Sequence, residues 1–129
     1  MGALQQPTRR RLVQKSEPMQ WIPLTSEEQV TQLIERSKET PQVIFKHSTR
    51  CSISGVAFQR IDKSQKPQAI DFYLLDVLTH RSLSLQVAQK FGVNHESPQV
   101  LVIKNGECVY DDSHMGIQMR DILEQVQMV

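Results

Sequence analysis

The thiol of Cys51 is the side chain in this sequence best placed to do chemistry. The apolar run Val43 to Phe45 predicts a buried strand that ends near His47, and apolar residues at helical spacing follow from Ile53. Cys51 would then lie at the amino end of a helix, where the helix dipole and free N–H groups favour the thiolate. The neighbouring Arg50 adds positive charge. We therefore expect a reactive thiol; the alternative is a small, inert hydrophobic residue in a loop.

The residue three positions after the cysteine restricts which thiol chemistry is available. A dithiol oxidoreductase uses the pattern C-x-x-C, in which the second thiol attacks the mixed disulfide formed by the first. Here Ser54 occupies that position. A hydroxyl cannot form a disulfide, although it can donate a hydrogen bond to the Cys51 thiolate. We therefore expect a mixed disulfide on Cys51 to be released by an external thiol.

Cys108 is the other cysteine, and the turn before it sets its position. Asn105-Gly106 is typical of a type I′ hairpin turn, which would pair Cys108 with Ile103 and bring Ser113 opposite Pro98. Ile103 would lie roughly 16 Å along its strand from Pro98, whereas a disulfide needs Cα atoms within about 7 Å. Cys108 is therefore predicted to be a structural residue at the opposite end of the sheet from the reactive cysteine.

A proline stands directly before a strand that reads as fully buried. Ser97-Pro98-Gln99 precedes the apolar run Val100 to Ile103, and a proline there removes a donor from the sheet ladder. A cis Ser97–Pro98 bond would explain its position, because cis X–Pro bonds occur in tight turns.

The histidines give weaker signals. His47 could tune Cys51 or bind an anion, or it could be a solvated loop residue, and His80 and His95 show no partner pattern. The four histidines and two cysteines have no metal-ligand spacing, so we expect no metal site.

The elements that must position these residues alternate between helix and strand. A short apolar segment at Trp21 to Leu24, with a proline, predicts an edge strand, and Thr25 with Glu28 predicts a capping box for the first helix. Gly92 is expected to end the third helix. The order (β)αβαβαββα predicts an α/β fold with a mixed central sheet flanked by helices on both faces. Strands joined by helices should be parallel, and the final hairpin should add one antiparallel strand.

Composition limits the classes of function. The chain has 129 residues, enough for one domain, which we place at residues 21–129 after a basic, partly disordered arm at residues 1–20. A net charge of +1 and 5% aromatic residues argue against nucleic-acid binding, and the absence of a long apolar run argues against a membrane span. Without a recognisable signal segment, we expect a cytoplasmic protein.

In combination, these residues resemble the thioredoxin fold. The element order, a cysteine after the first buried strand, and Ser97-Pro98 before the strand–turn–strand of residues 100–107 carry the resemblance, with Gly116 before the last helix. In that family the corresponding proline is cis and faces the active-site cysteine. The resemblance implies the same for Pro98.

A closer resemblance is to the monothiol bacilliredoxins. The stretch from Phe45 to Ser54, FKHSTRCSIS, is similar to that family's active-site stretch, although Ser52 stands where the family commonly has proline. The resemblance implies a monothiol oxidoreductase that removes bacillithiol from proteins. Its partners would be a low-molecular-weight thiol and thiolated proteins, and it would act as a monomer without an organic cofactor or a metal. Its expected site residues are Cys51 as the catalytic residue and Thr49, Arg50, Ser54, Ser97, Pro98 and Gln99 around the bound thiol.

Two other functions remain open from the sequence. Monothiol glutaredoxins also present C-x-x-S and carry an iron–sulfur cluster between two subunits, but they usually have a glycine pair after the last strand, where His114-Met115-Gly116 supplies one glycine. A non-catalytic adaptor with an incidental Cys51 is the second alternative.

Overall fold

The computed structural model describes residues 18–128, so most of the predicted basic arm lies outside the described residues. The helices and strands follow the predicted order. They are β1 (Trp21–Pro23), α1 (Glu27–Arg36), β2 (Gln42–His47), α2 (Ser52–Asp62), β3 (Asp71–Asp76), α3 (Arg81–Phe91), β4 (Gln99–Lys104), β5 (Glu107–Ser113), a 3₁₀ turn (His114–Gly116) and α4 (Met119–Gln127). No helix within residues 18–128 is long and apolar enough to cross a membrane.

The five strands within residues 18–128 form one mixed sheet in the order β1-β3-β2-β4-β5. β1 and β2 both run parallel to β3, and β5 runs antiparallel to β4. The expectation that all helix-connected strands are parallel is wrong for β4, which is antiparallel to β2. The segment from Gly92 to Pro98 returns the chain to the edge at which β2 ends, because Gln99 pairs with Lys46.

Helices cover both faces of the sheet, as the sequence predicts. On one face, α1 and α3 pack against the sheet through residues such as Leu33 and Val87. On the other face, α2 and α4 pack through Ala57, Ile61 and Ile122. Alternate residues of each central strand point into the two cores, which explains why these strands read as continuous apolar runs.

The β4–β5 hairpin has the predicted turn but a different register beyond it. Asn105 and Gly106 have φ values of 52° and 79°, as a type I′ turn requires. A bulge then inserts one residue between the pairs Ile103–Cys108 and Val102–Tyr110. As a result Ser113 lies opposite Gln99, not opposite Pro98 as predicted.

The first helix is capped one residue later than predicted. Ser26, not Thr25, is the N-cap, and its hydroxyl accepts the backbone N–H of Gln29 at 3.2 Å. The Gln29 side chain in turn accepts the backbone N–H of Thr25 at 2.7 Å. Gly92 ends α3 with a left-handed φ of 67°, as predicted.

Candidate active site

Cys51 is the N-cap of α2, in the short connection after β2. Its φ and ψ are −107° and 123°, and its thiol makes no capping hydrogen bond. The backbone holds it on both sides. The Cys51 N–H donates to the carbonyl of Ser48 at 3.2 Å, and the Gly55 N–H donates to the Cys51 carbonyl at 3.0 Å. The cysteine is partly exposed, while Thr49 and Arg50 before it are exposed. Cys51 is thus a partly exposed residue held at the start of a helix.

Ser54, at the position of a second thiol, is fully buried. Its hydroxyl accepts the backbone N–H of Ser48 at 2.9 Å and lies 2.6 Å from Nδ1 of His47. None of the hydrogen bonds among residues 18–128 joins Ser54 to Cys51. The hydroxyl is therefore bonded to the strand end and the loop rather than to the thiol, which differs from the hydrogen bond considered from the sequence.

His47 is packed between aromatic and charged groups at the end of β2. Its ring stacks on Phe58 of α2, with centroids 4.8 Å apart and planes 16° apart. Burial lowers the pKa of His47, and the charge of Asp76, its register partner on β3, opposes that shift. Burial is the larger effect, so the ring is neutral at neutral pH. Of the two interpretations left open by the sequence, the solvated loop residue is wrong.

The predicted cis bond is present between Ser97 and Pro98. Pro98 precedes β4, whose first residue, Gln99, pairs with Lys46 of β2, so the proline lies at the same sheet edge as the end of β2. The hydroxyl oxygen of Ser97 is buried, and it has no hydrogen-bond partner among residues 18–128. On the other side, the Pro98 carbonyl accepts the backbone N–H of His114 at 3.0 Å. The cis-proline segment and Cys51 therefore lie at the same end of the sheet.

Lys46 is a site neighbour that the sequence analysis missed. It is fully buried, and its ammonium group donates to the carbonyl of Ser84 at 3.0 Å and to Nδ1 of His95 at 3.3 Å. Burial lowers the pKa of Lys46 to about 8. The sequence signal for its burial is that this lysine directly follows the apolar run Val43 to Phe45 in the same strand. Through His95, this lysine contacts the segment that leads to the cis-proline.

Cys108 lies where the hairpin turn predicted, opposite Ile103 at the far end of β4. Its thiol donates to the Tyr110 carbonyl at 3.3 Å, and burial raises the pKa of Cys108 to about 11. No disulfide joins it to Cys51. Within residues 18–128, no three His, Cys, Asp or Glu side chains are grouped so that they could hold a metal ion.

A cysteine at the N-cap of a helix and a cis-proline at the same end of a mixed sheet define a thioredoxin-fold protein with one thiol in the C-x-x-S position. Comparison with solved structures agrees. A structure described as an oxidoreductase with a thioredoxin fold is 36% identical, covers 83% of this chain and 93% of its own, and has a TM-score of 0.72. Spinach chloroplast thioredoxin f is 13% identical over 88% of this chain and 96% of its own, with a TM-score of 0.64, and supports the fold alone.

The family match is more specific. Residues 22–122 match the protein family described as "Monothiol bacilliredoxin BrxC". The chain belongs to the monothiol bacilliredoxin family. This confirms the resemblance drawn from the stretch around Cys51, and it supports a role in thiol redox chemistry.

Proposed function

We propose that this protein is a monothiol thiol–disulfide oxidoreductase that removes bacillithiol from mixed disulfides on other proteins. The observation that carries the proposal is the position of Cys51, a partly exposed residue at the N-cap of α2 whose thiol makes no capping hydrogen bond. Ser54 stands where a dithiol protein would have its resolving thiol. Membership of the monothiol bacilliredoxin family supports the choice of small thiol.

The reaction takes place in two exchange steps. The Cys51 thiolate attacks the bacillithiol sulfur of the mixed disulfide, a new S–S bond forms between Cys51 and bacillithiol, and the substrate protein leaves as a thiolate that takes a proton from water. A second small-thiol thiolate then attacks the bacillithiol sulfur of the adduct. That step releases the small-thiol disulfide and restores the Cys51 thiolate, so electrons balance without an organic cofactor or a metal.

The residues around the thiol supply the proposed docking surface. Thr49 and Arg50 are exposed beside Cys51, where the guanidinium can attract an anionic small thiol. Ser97 and Pro98, at the same end of the sheet, form the opposite wall of the proposed surface, where the Ser97 hydroxyl makes no hydrogen bond to any of residues 18–128.

Gln99 and Ser54 are the remaining residues of the proposed site, and both are buried. Gln99 donates from its amide to the Asn94 carbonyl at 2.8 Å and fixes the segment that precedes the cis-proline.

We propose that the protein acts as a cytoplasmic monomer on thiolated proteins.

Intact-mass spectrometry after incubation with oxidised bacillithiol tests the proposal. We expect one adduct, mapped to the peptide that contains Cys51 and lost when reduced bacillithiol is added. Cys51→Ser should form no adduct, and Cys108→Ser should form the same adduct as the unmodified chain. An adduct on Cys108, or a Cys51–Cys108 disulfide as the main product, would overturn the monothiol mechanism. A parallel incubation with oxidised glutathione, if equally fast, would overturn the assignment of bacillithiol.

A further inference from the structure

The direction of the hydrogen bonds at Ser54 follows from the groups involved. The Ser48 backbone N–H can only donate, so the Ser54 oxygen accepts it. Because His47 is neutral, its Nδ1 can accept the single hydroxyl proton of Ser54, and Nε2 then carries the ring proton. The resulting chain runs from the Ser48 N–H through the Ser54 hydroxyl to His47.

This chain of hydrogen bonds fixes the connection that carries Cys51. Ser48 is held by both of its backbone groups, since its carbonyl accepts the Cys51 N–H while its N–H donates to Ser54. His47 is held by its own carbonyl, which accepts the Val77 N–H at 3.0 Å, and by its ring, which stacks on Phe58. The Ser54 hydroxyl joins the end of β2 to the first turn of α2.

We propose that His47 and Ser54 are positioning residues for the Cys51 thiol. The Ser54 hydroxyl stands at the position of the second sulfur of a dithiol protein, and it holds the loop that carries Cys51. The proposal rests on the proposed function of Cys51 as the reacting thiol. It explains why a serine suits this position: a hydroxyl can accept one hydrogen bond and donate another at the same time. A methyl group could do neither.

Two variants separate the hydrogen bond from the packing around it. Ser54→Ala removes the hydroxyl, and His47→Phe removes the acceptor while keeping a ring to stack on Phe58. His47→Phe should lower the rate of exchange at Cys51 by about fivefold, the change expected for the loss of one ordinary hydrogen bond. Ser54→Ala should lower it further, because it also removes the acceptor of the Ser48 N–H. The double variant should be no slower than Ser54→Ala alone, because Ser54→Ala already removes the bond that His47→Phe removes.

Ser37→Ala is the matched control for the loss of a buried hydroxyl. The Ser37 hydroxyl is also buried, accepts the Gly106 N–H at 2.8 Å and donates to the Ile34 carbonyl at 2.6 Å, but it lies by the β4–β5 turn. Its loss should lower the free energy of unfolding without changing the exchange rate. If Ser37→Ala and Ser54→Ala slowed exchange equally, the effect would come from lost stability, and the positioning role would be wrong.

Nitrogen NMR of the His47 ring provides a readout that a general loss of stability would not change. In the unmodified chain we expect the Nε2–H tautomer and a pKa below the ordinary value. In Ser54→Ala the pKa should rise, because the hydroxyl no longer donates to the neutral ring. Asp76, the charged group facing the ring from β3, is present in both proteins, so it does not cause the difference. An unchanged tautomer and pKa would overturn the proposal.

The failure of this inference can be told apart from the failure of the proposed function. The rate of Cys51 alkylation by iodoacetamide reports the position of the thiol without requiring a bacillithiol substrate. If bacillithiol exchange is absent but alkylation still slows in Ser54→Ala and His47→Phe, the proposed function fails and the positioning role holds. If exchange proceeds through Cys51 and neither variant changes it, the positioning role fails.

Discussion

Lys46 lies directly opposite Gln99 in the antiparallel pairing of β2 and β4, and both side chains are buried. The ammonium group is bonded to the neutral acceptors of Ser84 and His95, and none of the ion pairs among residues 18–128 includes it. A buried charge without an opposite charge costs free energy, which is why the pKa of Lys46 falls to about 8. The charged ammonium group of Lys46, next to the candidate site, therefore lowers the stability of the folded protein.

Replacing this lysine by an apolar side chain of similar length should stabilise the protein. We expect Lys46→Met to raise the free energy of unfolding at pH 7 by about 1 kcal/mol or more, since the cost of burying the charge disappears. Urea denaturation at pH 7 measures it. A large loss of stability at that pH would show that the hydrogen bonds of Lys46 outweigh the cost of its charge.

The same pair of proteins should differ in pH dependence. The pKa of Lys46 is about 8 in the folded chain against 10.5 ordinarily, so the unfolded chain binds more protons between these pH values. The contribution of Lys46 to the free energy of unfolding therefore rises from pH 8 to 10.5. The pKa of Cys108, raised to about 11, acts in the opposite direction from pH 9 upwards, but equally in both proteins. The difference in the free energy of unfolding between Lys46→Met and the unmodified chain should therefore shrink as the pH rises. If the two free energies changed in parallel with pH, this prediction would be wrong.

The local structure around Cys51 could be predicted because it depends on neighbouring residues. A buried strand, a short connection and a helix starting after the cysteine are all readable as hydrophobic patterns, and Asn105-Gly106 permits the positive φ values of its turn. The cis bond at Pro98 was expected from the fold resemblance and is confirmed.

Features that depend on contacts distant in sequence could not be predicted in this way. The direction of β4 depends on the course of the segment from Gly92 to Pro98, which no periodicity specifies. The bulge near Ile103 adds one residue without altering the apolar pattern of β5. Burial of Lys46 and the bond between Ser54 and His47 appear only when α2, α3 and the sheet are packed together.

Ser52 occupies the first residue of α2, and restoring the proline common in the family should be tolerated. Proline is favourable at this helix position, where its missing N–H is not needed. Cys51 before it has an extended backbone, with φ −107° and ψ 123°, which suits a residue preceding proline. We expect Ser52→Pro to raise the free energy of unfolding by about 0.4–1 kcal/mol, because the unfolded chain becomes less flexible. Chemical denaturation measures this change. A loss of stability would show that the Ser52 N–H has a role in the helix start.

The two cysteines should react at very different rates in the folded protein. Cys108 has a pKa raised to about 11 by burial, and its thiol donates to the Tyr110 carbonyl, so little of it is thiolate at pH 8. Cys51 caps α2 without such a bond. Iodoacetamide should therefore label Cys51 well before Cys108, as peptide mapping at timed intervals would show. Denatured protein, in which the rates should converge, is the control. Equal labelling of the two residues in the native protein would contradict the assignment of Cys51 as the reactive thiol.

Ser54→Cys should convert the monothiol site into a dithiol site. Residues three apart at the start of a helix lie on the same helix face, which is the placement from which the second thiol of a C-x-x-C pair attacks the mixed disulfide of the first. Oxidised small thiol should first form an adduct on Cys51, which the new thiol then displaces, leaving an internal disulfide and a free small thiol. Intact-mass spectrometry should show a product lighter than the reduced chain by two hydrogen atoms. Ser54→Ala, which lacks any resolving group, should retain the adduct, and adding Cys108→Ser to Ser54→Cys should leave the internal disulfide unchanged. A lasting small-thiol adduct on Ser54→Cys would show that the buried position is closed to the Cys51 sulfur, and that more than the missing thiol keeps this site monothiol.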